Sequence, residues 1–315
     1  MKQLLLTLGL FLAAVSTALG QEFRFVVTSA TTVKLSYRQY VDKQGILHRM
    51  KNSYDGDIVI PSTYDGKVVT GIDELTFDEC TSLTSVTIPE TVTLIQGYAF
   101  QKCSLPELTI PASVDSIGTG AFDGMYTLKK LTIADGDKVI KFANSQDYGA
   151  HGMFSYDHQS KLEEVYVGRN WTVKGNGLFA SNASLKKLTT GNFVSSIPAN
   201  SFYGCANLQT ATFNQGLTRV GEKAFMYCST LSDITLPESV TTIENSAFFS
   251  CVKAKTVTLP QTLKQIDASA FGSVNAVTEL TIPANVDTIG TGAFCEMEGL
   301  KKLVIEDSDT PPTFR

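Results

Sequence analysis

The sequence is poor in most of what catalysis and nucleic-acid binding require. Its 315 residues hold three His and a single Trp, and neither GxSxG, HExxH nor a Cys–His pairing occurs. A nucleophile with its base therefore has no recognisable motif, and the chain is read as not an enzyme. No CxxC pair offers a zinc site, and no cofactor is expected. No block of five or more basic residues appears, and the formal charge is −5. Both facts argue against nucleic acid or an anionic membrane as a main partner. Past the N-terminus nothing approaches the ~18 uninterrupted apolar residues of a spanning helix, so no transmembrane segment is expected.

The chain opens "MKQLLLTLGLFLAAVSTALGQE". Lys2, an apolar run from Leu4 to Val15, and Ala18 and Gly20 at the −3 and −1 places have the layout of a secretory signal peptide over 1–20. No Cys lies near the cleavage point to carry a lipid anchor. The expectation is an exported protein, secreted or held at the cell surface of a bacterium.

What the sequence does have is a repeat. Phe77, Phe100, Phe122, Phe154, Phe179, Phe202, Phe225, Phe248, Phe271 and Phe294 recur at steps of 22 to 25, with one step of 32. The text between them repeats too, as in "AFMYCSTLSDITLPESVTTIENS" and "AFFSCVKAKTVTLPQTLKQIDAS". The consensus is A-F-x-x-C-x-x-L-x-x-L-T-I-P-x-x-V-x-x-I. Within it, L-x-x-L-T-I alternates as a short strand does, with Ile234 and Leu236 inward, and Pro237 ends the strand because proline cannot donate to a ladder. Val240 and Ile243 are expected inward on a tight turn. One such unit cannot bury its apolar face alone; stacked units can, about 4.8 Å apart, in a curved solenoid some 50 Å long.

With "TIPASVDSIGTGAF" (109–122) and "TIPANVDTIGTGAF" (281–294), the chain resembles the BspA-type (treponemal-type) leucine-rich repeat family over about 57–315. That resemblance implies an α/β-type repeat solenoid, mostly β, right-handed, with a parallel sheet on its concave face. It also implies adhesin-like roles for an exported bacterial surface protein, in contact with host matrix proteins, mucin or other bacterial surfaces. The stretch 128–173 resembles an irregular unit of such exported proteins. Residues 21–56 do not repeat, and their β-branched and aromatic alternation reads as an N-terminal β cap, which a solenoid needs over its terminal core. The C-terminal "DTPPTFR" carries no polar capping segment, consistent with a longer parent protein.

Cys80, Cys103, Cys205, Cys228 and Cys251 all stand three residues after a repeat Phe, a slot that Met125, Val274 and Met297 fill elsewhere. A slot shared by Cys, Met and Val is an apolar packing slot, and free Cys behaves there as a small hydrophobe. Stacked neighbours lie within disulfide range, but their Cβ vectors run parallel, so buried thiols are preferred to bridges. Cys295 falls outside the slot.

Two outward columns remain. The residue between the inward pair of each strand is Val59, Thr87, Thr109, Thr132, Tyr166, Thr189, Thr212, Thr235, Thr258, Thr281 or Val304, mostly threonine. β-propensity and cross-strand Thr pairing account for this column; a hydroxyl array for ice or sugar is the alternative. The neighbouring column is mixed and charged, running Ser85, Glu107, Lys130, Glu164, Lys187, Thr210, Asp233, Thr256, Glu279, Lys302. Solenoids use such extended faces for protein partners.

The unit between Phe122 and Phe154 carries an insertion at 135–160. Inserted loops collect on one face, often the binding one. The residues put forward for ligand contact are therefore Lys130, Tyr148, His151, Tyr156, His158, Glu164, Tyr166, Arg169, Trp171 and Lys187. His151, Asp157 and His158 match no standard metal spacing. The expected function is non-catalytic binding of a protein or glycoprotein ligand through the sheet and the 135–171 unit. A secreted enzyme with its site hidden in the insertion, and a glycan- or ice-binding array, are the alternatives.

Overall fold

The computed structural model describes residues 15–18, 21–36, 38–41, 47–50, 54–143, 153–154, 159–173, 177–308 and 311–315. The chain is a mostly-β parallel solenoid of about 11 turns, with no helix among the described residues. Alternation builds the principal strands. Glu107–Ile110 reads exposed, buried, exposed, buried, and Glu279–Ile282 repeats the pattern. In each, a Leu and an Ile point inward and a Thr stands out between them.

These strands form one side of every turn. Glu107–Ile110, Lys130–Ile133, Glu164–Arg169, Lys187–Phe193 and Thr210–Thr212 pair in parallel as a five-stranded sheet. Asp55–Val59 pairs with Ser82–Thr87, Asp233–Thr235 with Thr256–Thr258, and Glu279–Ile282 with Lys302–Ile305.

The V-x-x-I step is more than a turn. Its last residues form a second parallel ladder of strands mostly two residues long. Lys67–Ile72, Leu94–Ile95, Ser116–Ile117, Ile140–Phe142 and Trp171–Val173 make one run. Ser196–Ile197, Arg219–Val220, Thr242–Ile243, Gln265–Ile266, Thr288–Ile289 and Thr313–Phe314 make the next. Each strand sends one Ile, Val or Phe inward from most turns, and too few residues follow to show a period of two.

The third side is the phenylalanine turn. Successive rings from Phe77 to Phe294 stack at 4.9–5.9 Å, within 24° of parallel. Offset stacks of this kind add about 0.5–1.5 kcal/mol each beyond area burial. The backbone stacks with them: the Phe225 N–H donates to the Ala247 carbonyl and the Phe248 N–H to Ala270, each at 2.8 Å. To aim these groups, the residues two before and two after most of the repeat Phe take positive φ, as at Lys223 (53°) and Tyr227 (64°). Glycine fills both places around Phe122 and needs no steric concession there, whereas elsewhere Leu, Tyr, Lys and Ser accept the strain.

At the N-terminal end, Gln21–Val27 and Thr32–Ser36 form an antiparallel hairpin whose second strand pairs in parallel with Lys67–Ile72. Val15–Ala18, inside the segment read as a signal peptide, pairs antiparallel with the first. Phe23, Phe25, Val33 and Leu35 are buried, and Tyr54 packs at a tilt between Phe23 (5.8 Å, 36°) and Phe77 (5.2 Å, 49°), so the aromatic column continues into this end with its rings inclined.

Cys80, Cys103, Cys205, Cys228 and Cys251 are buried free thiols, and Cys295 is half-exposed. The slot does more than fill space. The Sγ–H of Cys205, Cys228 and Cys251 donates to the carbonyl of Phe179, Phe202 and Phe225 at 3.2–3.4 Å, while Cys103 reaches the Cys80 carbonyl at 3.6 Å. After Phe179 the slot holds Asn182, fully buried, whose Nδ2 donates to the Phe154 carbonyl at 2.8 Å. A purely apolar reading of the slot misses this donor. Burial drives Cys103, Cys205, Cys228 and Cys251 up in pKa, Cys205 to about 12.

Candidate functional site

Register brings most of the described candidate residues into two neighbouring columns. Lys130 lies opposite Glu164, and Glu164 opposite Lys187; beside them Thr132, Tyr166 and Thr189 form the adjacent row. The alternation of "KK" and "EE" along the sequence thus becomes a cross-strand charge ladder. Lys130 reaches Glu107 at 3.9 Å, Lys186 reaches Glu163 at 3.1 Å, and Lys302 reaches Glu279 at 3.4 Å. All are exposed, where an ion pair contributes about 0–1 kcal/mol. Their effect is on register and surface potential more than on stability.

Tyr166 is the one aromatic residue in the threonine column. Its hydroxyl donates to Asp135, with both carboxylate oxygens 2.9 Å away. Burial first, and then the Asp135 hydrogen bond, raise its pKa. The contact requires small neighbours. A Cβ on Gly191 would lie 2.2 Å from Asp135 Oδ1 and 2.3 Å from the Tyr166 hydroxyl, and one on Gly168 would lie 2.4 Å from the Asp135 backbone nitrogen. The lengthened unit therefore supplies Asp135 as a brace that fixes the Tyr166 ring.

Arg169 and Trp171 are not part of this surface. Both are essentially fully buried. A register shift between Val167 and Arg169 turns the arginine inward, where it donates to the carbonyls of Ala112 (2.6 Å), Pro111 (2.9 Å) and Val114 (2.9 Å). Burial lowers its pKa, opposed by Asp115 and Glu90. It closes the turn two units back instead of meeting a ligand. Trp171 begins a strand of the second ladder, opposite Ile140. Tyr148, His151, Tyr156 and His158 lie outside the described residues, as does Asp157.

Two residues that composition does not single out organise the same region. Asn170 Oδ1 accepts the backbone N–H groups of Ser195 (2.9 Å) and Ser196 (3.2 Å), bridging the break between the two runs of the second ladder. The Asn182 side chain makes four hydrogen bonds, to Phe154, Ser160, Ser184 and Leu185. The sequence signal for Asn182 was its place in the Cys slot. Among the described residues no group of three His, Cys, Asp or Glu is placed to hold a metal ion, and no helix is long and apolar enough to cross a membrane.

Fold and face together define a β-solenoid that presents long, regular outward columns on a stacked aromatic core. Six copies of the BspA-type leucine-rich repeat region match residues 56–148 and 195–311, and the chain belongs to that family. No curated protein matches it. Among solved structures, a leucine-rich cell surface protein from Faecalibacterium prausnitzii is similar at 26% identity and a TM-score of 0.42, over 80% of this chain and 60% of that one. The chain thus spans less than two thirds of that protein. A leucine-rich repeat protein from Bacteroides ovatus is similar at 20% identity, TM-score 0.40, over 84% of this chain and 94% of that one. The T. pallidum leucine-rich repeat protein is similar at 19% identity, TM-score 0.38, over 81% and 87%.

Proposed function

We propose that this chain is an exported, non-catalytic binding protein at or beyond the bacterial cell surface, adhesin-like, with a protein or glycoprotein of host matrix, mucin or another bacterium as its ligand. The N-terminal 20 residues direct export and are removed, residues 21–56 cap the solenoid, and 57–315 present the face. The observation that carries the reading is Tyr166. It stands half-buried in a column made mostly of threonines, is held by Asp135, and is flanked by the alternating charges of Lys130, Glu164 and Lys187. A fixed aromatic ring inside a polar, charged rim is the usual composition of a protein-binding hot spot.

The test is solid-phase binding of the chain from Gln21 onward to immobilised collagen, laminin and mucin. Tyr166→Ala is expected to weaken binding about tenfold or more, a hot-spot-sized loss. A Lys130→Glu, Lys187→Glu pair should slow association and steepen its salt dependence. Failure to bind any of the three, or binding indifferent to all these changes, would overturn the assignment of this face.

A further inference from the structure

The principal ladder divides into separate sheets at three places, after Ser82–Thr87, Thr210–Thr212 and Thr256–Thr258, and the second of them makes a groove. The Thr210–Thr212 and Asp233–Thr235 strands are adjacent in the stack and belong to different sheets. The Ser232 N–H donates to the Gln209 carbonyl at 3.0 Å, joining them at their start, and no ladder pairing follows. The sequence changes there as well. The unit after Phe202 reads "LQTATFN" where the consensus has L-x-x-L-T-I-P, so Ala211 stands for Leu, Phe213 for Ile and Asn214 for Pro. Ala211 and Phe213 are only partly buried, whereas Ile234 and Leu236 opposite are buried. Phe213 rests edge-on against Phe225, its ring centroid 5.7 Å away and inclined at 75°.

The result is a groove of about 510 Å³, inside the range of about 300–1,000 Å³ typical of small-molecule sites. Its walls carry the Thr210, Thr212, Thr235 and Thr258 hydroxyls, two carboxylates (Asp233 and Glu238), and the Phe213 ring. Both carboxylates are held in place by the protein. Asp233 accepts from the Thr256 hydroxyl through Oδ1 and from the Ser232 hydroxyl at 2.8 Å through Oδ2, and Glu238 accepts the Gln261 N–H at 3.1 Å. Each ionised oxygen retains a lone pair for a second donor. No Lys or Arg lines the groove, and its two carboxylates outweigh the one neighbouring cation, Lys255, that acts on Asp233, so the walls favour a neutral or cationic ligand over an anionic one.

We infer that this groove binds a short neutral or amino-bearing saccharide. Its hydroxyls and any ammonium group donate to Asp233 and Glu238, the threonine hydroxyls complete the ring's hydrogen bonds, and an apolar C–H face lies on Phe213. The inference assigns a site and ligand class to the same outward face as the proposed function and rests on that face being the binding surface. It uses a different set of residues from the Tyr166 region, so the two are separable.

The experiment is titration of the chain from Gln21 with chitobiose, mannobiose, cellobiose and lactose, followed by calorimetry and by amide chemical-shift mapping. At least one disaccharide should bind with shifts centred on Thr212, Asp233 and Thr235. Thr212→Trp fills the groove, and Asp233→Asn removes a charge-assisted hydrogen bond; each should weaken that binding by about tenfold or more. Tyr166→Ala should leave it unchanged, and both groove variants should keep their binding to immobilised matrix protein. Absence of binding by all four sugars, or shifts that map elsewhere, would overturn the inference. So would equal affinity in both groove variants, or preference for a sialylated or sulfated sugar over its neutral parent.

Discussion

Raising the pH from 7 to 10 should destabilise this protein steeply, and the buried thiols set how steeply. Burial raises the pKa of Cys103, Cys205, Cys228 and Cys251 in the folded chain, Cys205 to about 12. In the unfolded chain each thiol ionises near 8.5. A folded pKa above the unfolded one contributes stability that is complete below about 8.5 and is lost as the pH rises toward the folded value. At about 1.36 kcal/mol per pH unit, each thiol favours the unfolded state by about 2 kcal/mol at pH 10, or about 8 kcal/mol for the four. That is as large as the whole stability of many domains. The assay is urea unfolding at pH 7 and pH 10, followed by far-UV circular dichroism and by the fluorescence of Trp171, the only tryptophan and a buried one. The comparison is a variant carrying Cys103→Val, Cys205→Val, Cys228→Val and Cys251→Val, since Val274 already fills the same slot. The wild type should lose most of its urea midpoint between the two pH values, and the variant should keep most of its own. Equal losses in the two proteins would refute the reasoning, as would rapid labelling by a disulfide reagent at pH 8 of more native thiols than the half-exposed Cys295.

Two further outcomes test the register. Phe225→Ala should cost about 3–5 kcal/mol, since the ring is fully buried and stacked on Phe202 and Phe248, and Thr235→Ala should cost well under 1 kcal/mol; comparable shifts in urea midpoint would mean the inward and outward assignments are wrong. Asn182→Ala should cost about 2–4 kcal/mol by leaving buried backbone groups unpaired, while Asn182→Cys, which keeps a donor toward the Phe154 carbonyl, should cost visibly less in the same assay.

How much of this was legible depended on how each element writes itself into the sequence. The Phe column and the L-x-x-L-T-I strands were legible because the same side-chain type must fill the same stacked position in every turn. The cross-strand register was legible too, since aligning units on their L-x-x-L strand motif, Leu128 with Leu162, places Lys130 beside Glu164. The second ladder was not, because Thr242–Ile243 is too short to show a strand's period. The left-handed residues around most of the repeat Phe were hidden because Leu75, Tyr98, Lys223 and Ser246 occupy them as well as glycine does. Arg169 and Trp171 were placed on the surface by residue type, whereas a register shift and a ladder strand carry them inward. The groove was invisible because Ala211 and Phe213 are both apolar and keep the consensus pattern, differing from it only in volume.

The principal ladder divides after Ser82–Thr87, Thr210–Thr212 and Thr256–Thr258 and the second ladder after Trp171–Val173, yet the phenylalanine stack runs without a gap past all of these interruptions, at 4.9 Å between Phe77 and Phe100, 5.3 Å and 5.4 Å on either side of Phe154 and 5.2 Å between Phe202 and Phe225. In a quasi-one-dimensional fold, stability is a sum of unit and nearest-neighbour contributions. Loss of ladder bonds on one side can therefore be carried by the side that stays intact. At the break after Trp171–Val173 a side chain, Asn170, supplies the missing acceptor; at the break after Thr210–Thr212 a single backbone bond remains and a groove opens. A rigid column that tolerates local opening is what allows one face of the solenoid to vary in shape while its core stays continuous.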